Sequence, residues 1–343
     1  MDNTTPKLLS RVPAWAKKAV PALISLLILY YYFHDQDWTA LWAATARARL
    51  WLALLAIVVP QLIYWALDVL LTERTMTWFH APFPWRPYFW VRGAIYILQI
   101  LNPTLAGGGT LLYIQRRTLI PWRQFAGILL FRFGMTMWAL TLFLIPATLA
   151  MHYYGLAERA KINLWVWWGF LIFGVAWMVE AWVVWHHKRH FGLSKVIVRD
   201  RESEFWTAFR LATRGQWLLT GALALAPMLF VLFGFYLLAL AFAVRVPFWH
   251  FLVVSPLVML IMDLPIALAG FGTTTLAWMT FFGEYGSEEN LAALSLFLPF
   301  ARSICRALIG LVSLRPALAD LAALPPAPAG EPAPPAVLEG EEA

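Results

Sequence analysis

Two hydrophobic segments of this chain are each interrupted by proline and clustered glycine. Residues 94–114 read AIYILQILNPTLAGGGTLLYI, and residues 251–282 read FLVVSPLVMLIMDLPIALAGFGTTTLAWMTFF. Broken backbone is tolerated at membrane depth only where it is buried in protein or lines a cavity. Two such segments in corresponding halves of a chain are typical of the binding site of a transporter. The pattern therefore predicts a membrane protein with a polar site near its middle.

Composition indicates that lipid covers much of this chain. Hydrophobic residues make up 61% of its 343 residues and charged residues only 13%, whereas a soluble domain carries about 25% charged residues. The formal net charge of +7 could suggest a nucleic-acid partner. Basic residues that flank membrane helices explain this charge better. We therefore expect a membrane protein without a nucleic-acid partner.

Six further segments are candidate membrane spans, each of which needs about 20 residues in a helix. They are residues 14–33, 50–71, 124–151, 163–185, 216–244 and 289–314. The first resembles a signal peptide, but the chain continues FHDQDW without a small-residue cleavage site, so we interpret it as a retained helix. The predicted fold is an all-α polytopic membrane protein, with about six spanning helices and two re-entrant broken-helix hairpins in an inverted repeat.

The distribution of basic residues predicts how these segments are oriented. With the N-terminus in the cytoplasm and both hairpins re-entrant, 18 of the 26 basic residues lie on the cytoplasmic side and five lie outside. The other three lie within membrane segments. Cytoplasmic loops are enriched in Lys and Arg, so we expect a multi-pass protein of the cell (inner) membrane with both termini cytoplasmic.

The same reading divides the chain into one membrane domain and a tail. The domain is expected to cover residues 1–315, with inverted repeats at about residues 15–155 and 163–315. Residues 316–343 are rich in Pro, Ala and Glu and are expected to be disordered. Inverted repeats that meet at the middle of the bilayer suit alternating access.

Four motifs follow one another in this chain. They are NPTLAGGG at residues 102–109, FRFGM around Arg132, DLPIALAGFG at residues 263–272, and a last helix that contains Arg302. This arrangement resembles the transmembrane region of the lysylphosphatidylglycerol synthases, also called the flippase-like membrane family, over roughly residues 15–315. The resemblance implies that the chain moves or handles lipids such as aminoacylated phosphatidylglycerol, or acts beside polyprenyl- and hopanoid-lipid pathways.

Two departures from the family pattern concern acidic residues. The family usually has Glu in its first motif where Gly109 and Thr110 stand here, and Glu in its second motif where Thr275 stands. The loss of both acids argues against the charge-coupled step that the family implies. We expect no soluble aminoacyl-transfer domain in this chain, and therefore no synthesis of lysylphosphatidylglycerol.

After each break, the chain is expected to begin a new helix deep in the membrane, near Gly109 and Thr110 and near Gly272 and Thr273. Helix N-termini attract anions such as phosphate, and the threonines would cap them in the empty protein. The glycines would let a lipid headgroup approach the backbone, or they merely permit turns and close packing. Asn102 would contact the ligand or satisfy the broken backbone. The candidate glycines are Gly107, Gly108, Gly109, Gly270 and Gly272.

Three arginines are candidate ligands of the anion. An arginine at the membrane centre costs at least about 2.5 kcal/mol, so Arg132 is expected to face protein, water or an anion. The planar guanidinium of Arg132 suits phosphate. The alternative to this binding role is a structural ion pair between Arg132 and an acid of the bundle. The candidate acids are Asp68, Glu180 and Asp263. Arg302 and Arg306 share a helix face, and Arg306 either lines the same cavity or extends to the membrane surface.

Two classes of function fit these features. The first is a transporter or flippase that moves an anionic phospholipid or a polyprenyl-phosphate-linked lipid between leaflets. The second is an intramembrane enzyme, or an accessory subunit that works with lipid-synthesis enzymes. No catalytic constellation is evident, which favours the first class. The histidines of HHKRH at residues 186–190 lack a nearby Cys or acid. We therefore expect no metal and no cofactor, and we expect lipids with anionic headgroups as partners.

Overall fold

The computed structural model describes residues 38–101, 103–153, 164–187, 200, 202–262 and 271–324, and helices are the regular elements of this part of the chain. In order, the α-helices are α1 (Trp38–Arg47), α2 (Leu50–Phe79), α3 (Trp85–Leu101), α4 (Pro103–Thr118), α5 (Trp122–Tyr153), α6 (Leu164–His187), α7 (Thr207–Leu211), α8 (Arg214–Ala241), α9 (Phe248–Met262), α10 (Phe271–Phe282) and α11 (Glu288–Ala323). Single 3-10 turns precede α7 and follow α10.

Within the described residues, four helices are long and apolar enough to cross a bilayer, namely α2, α5, α8 and α11. They match four of the predicted spans, and α6, with 24 residues, matches a fifth. The predicted span at residues 14–33 lies outside the described residues. Large apolar side chains such as Trp51, Phe133 and Phe233 are more than half exposed on these helices, as expected for surfaces that lipid covers. The chain is an all-α polytopic membrane protein, as predicted.

Two spanning helices are longer than their apolar segments. α2 continues beyond residue 71 to Phe79, because Glu73 and Arg74 end the apolar run but are good helix formers. α11 continues beyond residue 315, where the tail was predicted to begin, and ends at Ala323. Pro316 removes one backbone hydrogen bond, and the helix persists on both sides of it.

Polar contacts tie the end of α11 to α4. Asp320 accepts hydrogen bonds from the Tyr113 hydroxyl at 2.8 Å and from Arg117 Nη1 at 3.2 Å. Arg116 Nη2 donates to the Leu324 carbonyl oxygen at 3.4 Å. Residues 316–324 therefore belong to the folded bundle, which corrects the predicted boundary of the disordered tail. Residues 325–343 lie outside the described part of the chain.

Helices α3 and α4, which end at Leu101 and begin at Pro103, form an antiparallel hairpin. Tyr88, near the start of α3, stacks on Tyr113, near the end of α4, with ring centroids 6.0 Å apart. His80, just after α2, places Nε2 3.1 Å from the Thr118 carbonyl oxygen at the end of α4. Both ends of this first hairpin therefore lie where α2 ends.

Helices α9 and α10 form a second antiparallel hairpin. Phe251 and Phe282 stack with ring centroids 5.2 Å apart. The Arg245 N–H donates to a carbonyl oxygen of the 3-10 turn after α10 at 2.9 Å. The Arg49 N–H donates to the carbonyl oxygen of the last residue of α8 at 3.0 Å, so the start of α2 lies at this end. The two hairpins therefore open at opposite ends of the bundle, and the inverted repeat stays a prediction.

Glycines allow close contacts between the helices. A Cβ on Gly234 of α8 would lie 2.5 Å from the Ala56 carbonyl oxygen of α2. A Cβ on Gly93 of α3 would overlap Ser313 Oγ of α11. Small residues permit such approaches, and membrane helices commonly pack in this way. Helices α2, α3 and α11 all contact one another, and the polar residues of the candidate site lie among them.

Candidate functional site

Asp68 of α2 binds one arginine from each of two other helices. Arg132 of α5 donates through Nη2 to Asp68 Oδ1 at 2.8 Å, and Arg92 of α3 donates through Nε to Asp68 Oδ2. Arg132 Nη1 also donates to Thr72 Oγ1 at 2.9 Å. The three charged side chains are each less than one-fifth exposed. This group of Arg92, Asp68 and Arg132, which we call the Asp68 triad, carries two positive charges and one negative charge.

Local structure brings the triad together. Asp68 and Thr72 lie one turn apart on α2 and therefore share a face. The first hairpin follows α2 after a short connection and folds back along it, which sets Arg92 against Asp68. Gln124 Nε2 donates to the carbonyl oxygen of the last residue of α2 at 2.7 Å. This contact aligns the start of α5 with the end of α2 and brings Arg132 to the same level.

Tyr96 connects the triad to a third arginine. It lies one turn after Arg92 on α3, and Arg92 Cζ is 4.9 Å from the centroid of its ring. Arg306 Cζ of α11 is 5.8 Å from the same centroid. Both distances are within the range of a cation–π interaction. Tyr96 is 0% exposed, and its hydroxyl has no hydrogen-bond partner among the residues that the structure describes.

A small cavity lies between α2, α8 and α11, and it contains a fourth arginine. Its lining residues are Ala56, Ile57, Pro60, Gln61, Tyr64, Val231, Phe235, Leu298 and Arg302. We call it the Arg302 cavity. Arg306, one turn further along α11, donates through Nε to Gln61 Oε1 at 3.4 Å. Gln61 is 5% exposed, and its Nε2 has no partner within the described ranges.

Positive charge exceeds negative charge in this part of the bundle. Four arginines and one aspartate carry a formal net charge of +3. Within the described residues, Arg302 and Arg306 form no ion pair with a carboxylate. A cation at membrane depth is costly without a counter-charge. The arrangement therefore suits an anion, and the planar fork of arginine matches the oxygens of phosphate.

The predicted helix start near Gly109 and Thr110 is wrong. α4 begins at Pro103, so both residues lie inside the helix, and Thr110 Oγ1 donates to the Ala106 carbonyl oxygen at 2.9 Å. α3 ends at Leu101 and α4 begins at Pro103 instead, because proline is well suited to the first position of a helix. Gly107 and Gly108 lie on an exposed face of α4, and no described atom would lie within 4 Å of a Cβ on either.

The second predicted helix start is closer to the observed one. α10 begins at Phe271, so Gly272 and Thr273 are its second and third residues, and Thr273 is not the cap. The Thr273 side chain is 0% exposed. The Thr275 hydroxyl, where the family resemblance implies Glu, lies 3.1 Å from Ser295 Oγ of α11. Three candidate residues lie outside the described part of the chain, namely Asn102, Asp263 and Gly270.

The arginines occupy more central positions than the sequence suggested. The 18 basic residues that the predicted topology assigns to the cytoplasmic side include Arg92, and the structure places Arg92 within α3, in the Asp68 triad. The flanking FWV and AIYIL residues were the available signal that Arg92 lies in an apolar helix. Arg306 does not extend to the membrane surface, because α11 continues to Ala323 and Arg306 contacts Gln61. Of the described candidate acids, Asp68 pairs with Arg132, and Glu180 lies on α6.

Sequence comparison places the chain in a family. No curated protein and no solved structure matches it. The profile of the family described as the lysylphosphatidylglycerol synthase TM region matches residues 19–330, which is most of the 343 residues. This range contains every helix named above, the Asp68 triad and the Arg302 cavity. The chain therefore belongs to the family of the lysylphosphatidylglycerol synthase transmembrane region.

Proposed function

We propose that this chain moves an anionic phospholipid or a polyprenyl-phosphate-linked lipid between the leaflets of the cell (inner) membrane. It is a membrane protein of a family related to lipid metabolism, and lipid movement is the specific role that we infer. The observation that carries this proposal is the formal charge of +3 on four arginines and one aspartate inside the bundle. Such an excess attracts an anion in a setting of low dielectric constant.

The arrangement of the hairpins supports transport rather than binding alone. The first hairpin opens at the end of the bundle where α2 ends, and the second opens where α2 begins. Hairpins that enter from opposite ends can exchange roles, so that a central site opens to one side and then to the other. The arginines are contributed by α3, α5 and α11, so relative movement of these helices would alter the site.

Reconstituted vesicles provide the test. The purified protein is inserted into phosphatidylcholine vesicles that contain a trace of fluorescent phosphatidylglycerol, and dithionite is added outside. Dithionite destroys only the fluorophores in the outer leaflet. Vesicles with the protein should therefore lose nearly all their fluorescence, because lipid from the inner leaflet is moved outward. A second series with a fluorescent polyprenyl phosphate compares the two lipid classes.

Matched variants test whether the positive charge of the arginines is required for lipid transport. The double variant Arg302→Gln, Arg306→Gln should slow transport strongly. Arg315→Gln changes an exposed arginine of the same helix and should transport like the wild type. If the folded wild type behaves like protein-free vesicles for both lipids, the transport proposal fails. An enzyme or an accessory subunit of lipid synthesis would then account for the arginines better.

A further inference from the structure

We infer that the phosphate of the transported lipid binds at the Arg302 cavity when helix movement opens it beyond its volume of about 20 Å³, with Arg302, the neighbouring Arg306 and Gln61 as partners. The Asp68 triad instead holds the surrounding helices together and does not contact the ligand. This inference rests on the proposed function and specifies the subsite that recognises the lipid. It assigns a binding role to Gln61, which no sequence motif indicated, and it moves the anion away from Arg132.

The hydrogen-bonding state of Gln61 is the first argument. Its Oε1 accepts a hydrogen bond from Arg306 Nε at 3.4 Å, whereas its amide nitrogen carries two N–H donors. Those N–H groups are buried and have no partner in the part of the chain that the structure describes. A buried polar group without a partner is costly. A ligand that supplies acceptor oxygens would remove this cost.

The charges around the cavity are the second argument. Arg302 and Arg306 lie one turn apart on α11, and like charges at this spacing repel each other. Among the described residues no carboxylate lines the cavity or pairs with either arginine. Arginine has only donors and keeps its charge. The unsatisfied groups of the site are therefore donors and cations, which selects a ligand with anionic oxygens over an amine or a metal ion.

The Asp68 triad differs because both of its arginines are already paired with a carboxylate, although Arg132 Nε has no partner among the described residues. Arg132 uses Nη1 for Thr72 and Nη2 for Asp68, and Arg92 uses Nε for Asp68. A phosphate would have to displace the carboxylate to bind both arginines there. In the Arg302 cavity, it would displace no carboxylate of the described residues. The cavity is therefore the better site for the anion, and the triad is suited to a structural role.

Binding to the purified protein in detergent tests the inference directly. The probe is dihexanoyl-phosphatidylglycerol, measured by isothermal titration calorimetry, with inorganic phosphate as the competitor. Gln61→Leu and Arg302→Gln should each weaken binding by about tenfold or more, because each removes a hydrogen bond to a charged group. Arg315→Gln should bind like the wild type. Arg132→Gln should lower the melting temperature, because it removes an ion pair of the Asp68 triad.

Defined results would overturn the inference. One is wild-type affinity in both Gln61→Leu and Arg302→Gln. Another is an Arg132→Gln protein that melts like the wild type yet no longer binds the lipid. Inorganic phosphate should compete with the lipid in the wild type, and a failure to compete would refute recognition of the phosphate itself. Should Arg302→Gln fold poorly, Gln61→Leu preserves the bulk of the side chain and decides the question.

Failure of the subsite and failure of the transport proposal are distinguishable. Suppose that the wild type moves lipid in vesicles and that the Gln61→Leu and Arg302→Gln proteins bind and move it normally. The transport proposal is then supported and the proposed subsite is refuted. If the wild type binds the lipid through these residues but does not move it, the proposed subsite is supported and the transport proposal is refuted.

Discussion

Arg132 Nη2 donates a hydrogen bond to Asp68 Oδ1 at 2.8 Å, and this contact joins α5 to α2. The same carboxylate binds Arg92 of α3, so one acid holds three helices together. Removal of the acid leaves two arginines without a counter-charge. Removal of either arginine leaves one ion pair in place. Substitutions of Asp68, Arg92 and Arg132 should therefore destabilise the protein to different extents.

Asp68→Asn should destabilise the protein more than Arg132→Gln or Arg92→Gln. Removal of one partner of a buried ion pair costs about 3 kcal/mol, and Asp68→Asn affects two pairs at once. Thermal melts in detergent rank the three variants by melting temperature. The double variant Asp68→Asn, Arg132→Gln should recover part of the loss, because one unpaired cation is removed. A melt of Asp68→Asn that matches the wild type would contradict the structural role of the triad.

Gly127→Ala should lower the melting temperature, because a Cβ at this position of α5 would overlap the Phe205 carbonyl oxygen. Backbone atoms cannot move aside as a flexible side chain can, so the free energy of unfolding should fall by about 1–3 kcal/mol. Gly134→Ala on the same helix is the control, since no described atom lies within 4 Å of its Cβ. Equal melting temperatures for the two variants would show that α5 does not pack against Phe205 this closely.

Truncation after residue 324 should preserve stability and membrane insertion, whereas truncation after residue 315 should not. The shorter protein lacks Asp320, which accepts hydrogen bonds from Tyr113 and Arg117 of the first hairpin. Loss of the three contacts that Asp320 and Leu324 make should cost about 2–4 kcal/mol. Membrane accumulation and thermal melting of the two truncated proteins provide the comparison. Similar behaviour of both would remove the argument that residues 316–324 belong to the bundle.

Residue 284 should be accessible from outside the cell and residue 202 from the cytoplasm, as the distribution of basic residues predicts. Cys305 is the single cysteine and is buried, so Cys305→Ser provides a cysteine-free background. An impermeant maleimide should label Glu284→Cys in intact cells and Glu202→Cys only after permeabilisation. Labelling in the reverse order would invert the topology, and with it the expected cytoplasmic location of both termini.

Local sequence patterns predicted that the first apolar segment is broken, but they did not predict at which residue its second helix begins. The apolar segment with NP and GGG predicted a broken helix, and α3 and α4 form that hairpin. The predicted helix start near Gly109 is wrong because the helix begins at Pro103 and membrane helices tolerate glycine. The sequence did not predict the place of Arg92 in the triad, since counting charges between apolar runs assigns a basic residue to one side of the membrane and not to a helix.

By itself, the sequence determined that this chain is an all-α membrane protein with two interrupted segments. Apolar run length, proline and glycine act over short stretches, so no distant contact is needed to recognise them. Only the tertiary structure decided which arginines share Asp68 and which have no carboxylate partner among the described residues. Those relationships depend on the rotation and level of helices that lie far apart in the chain. Gln61 and Arg306, which are 245 residues apart, meet only because α2 and α11 pack side by side.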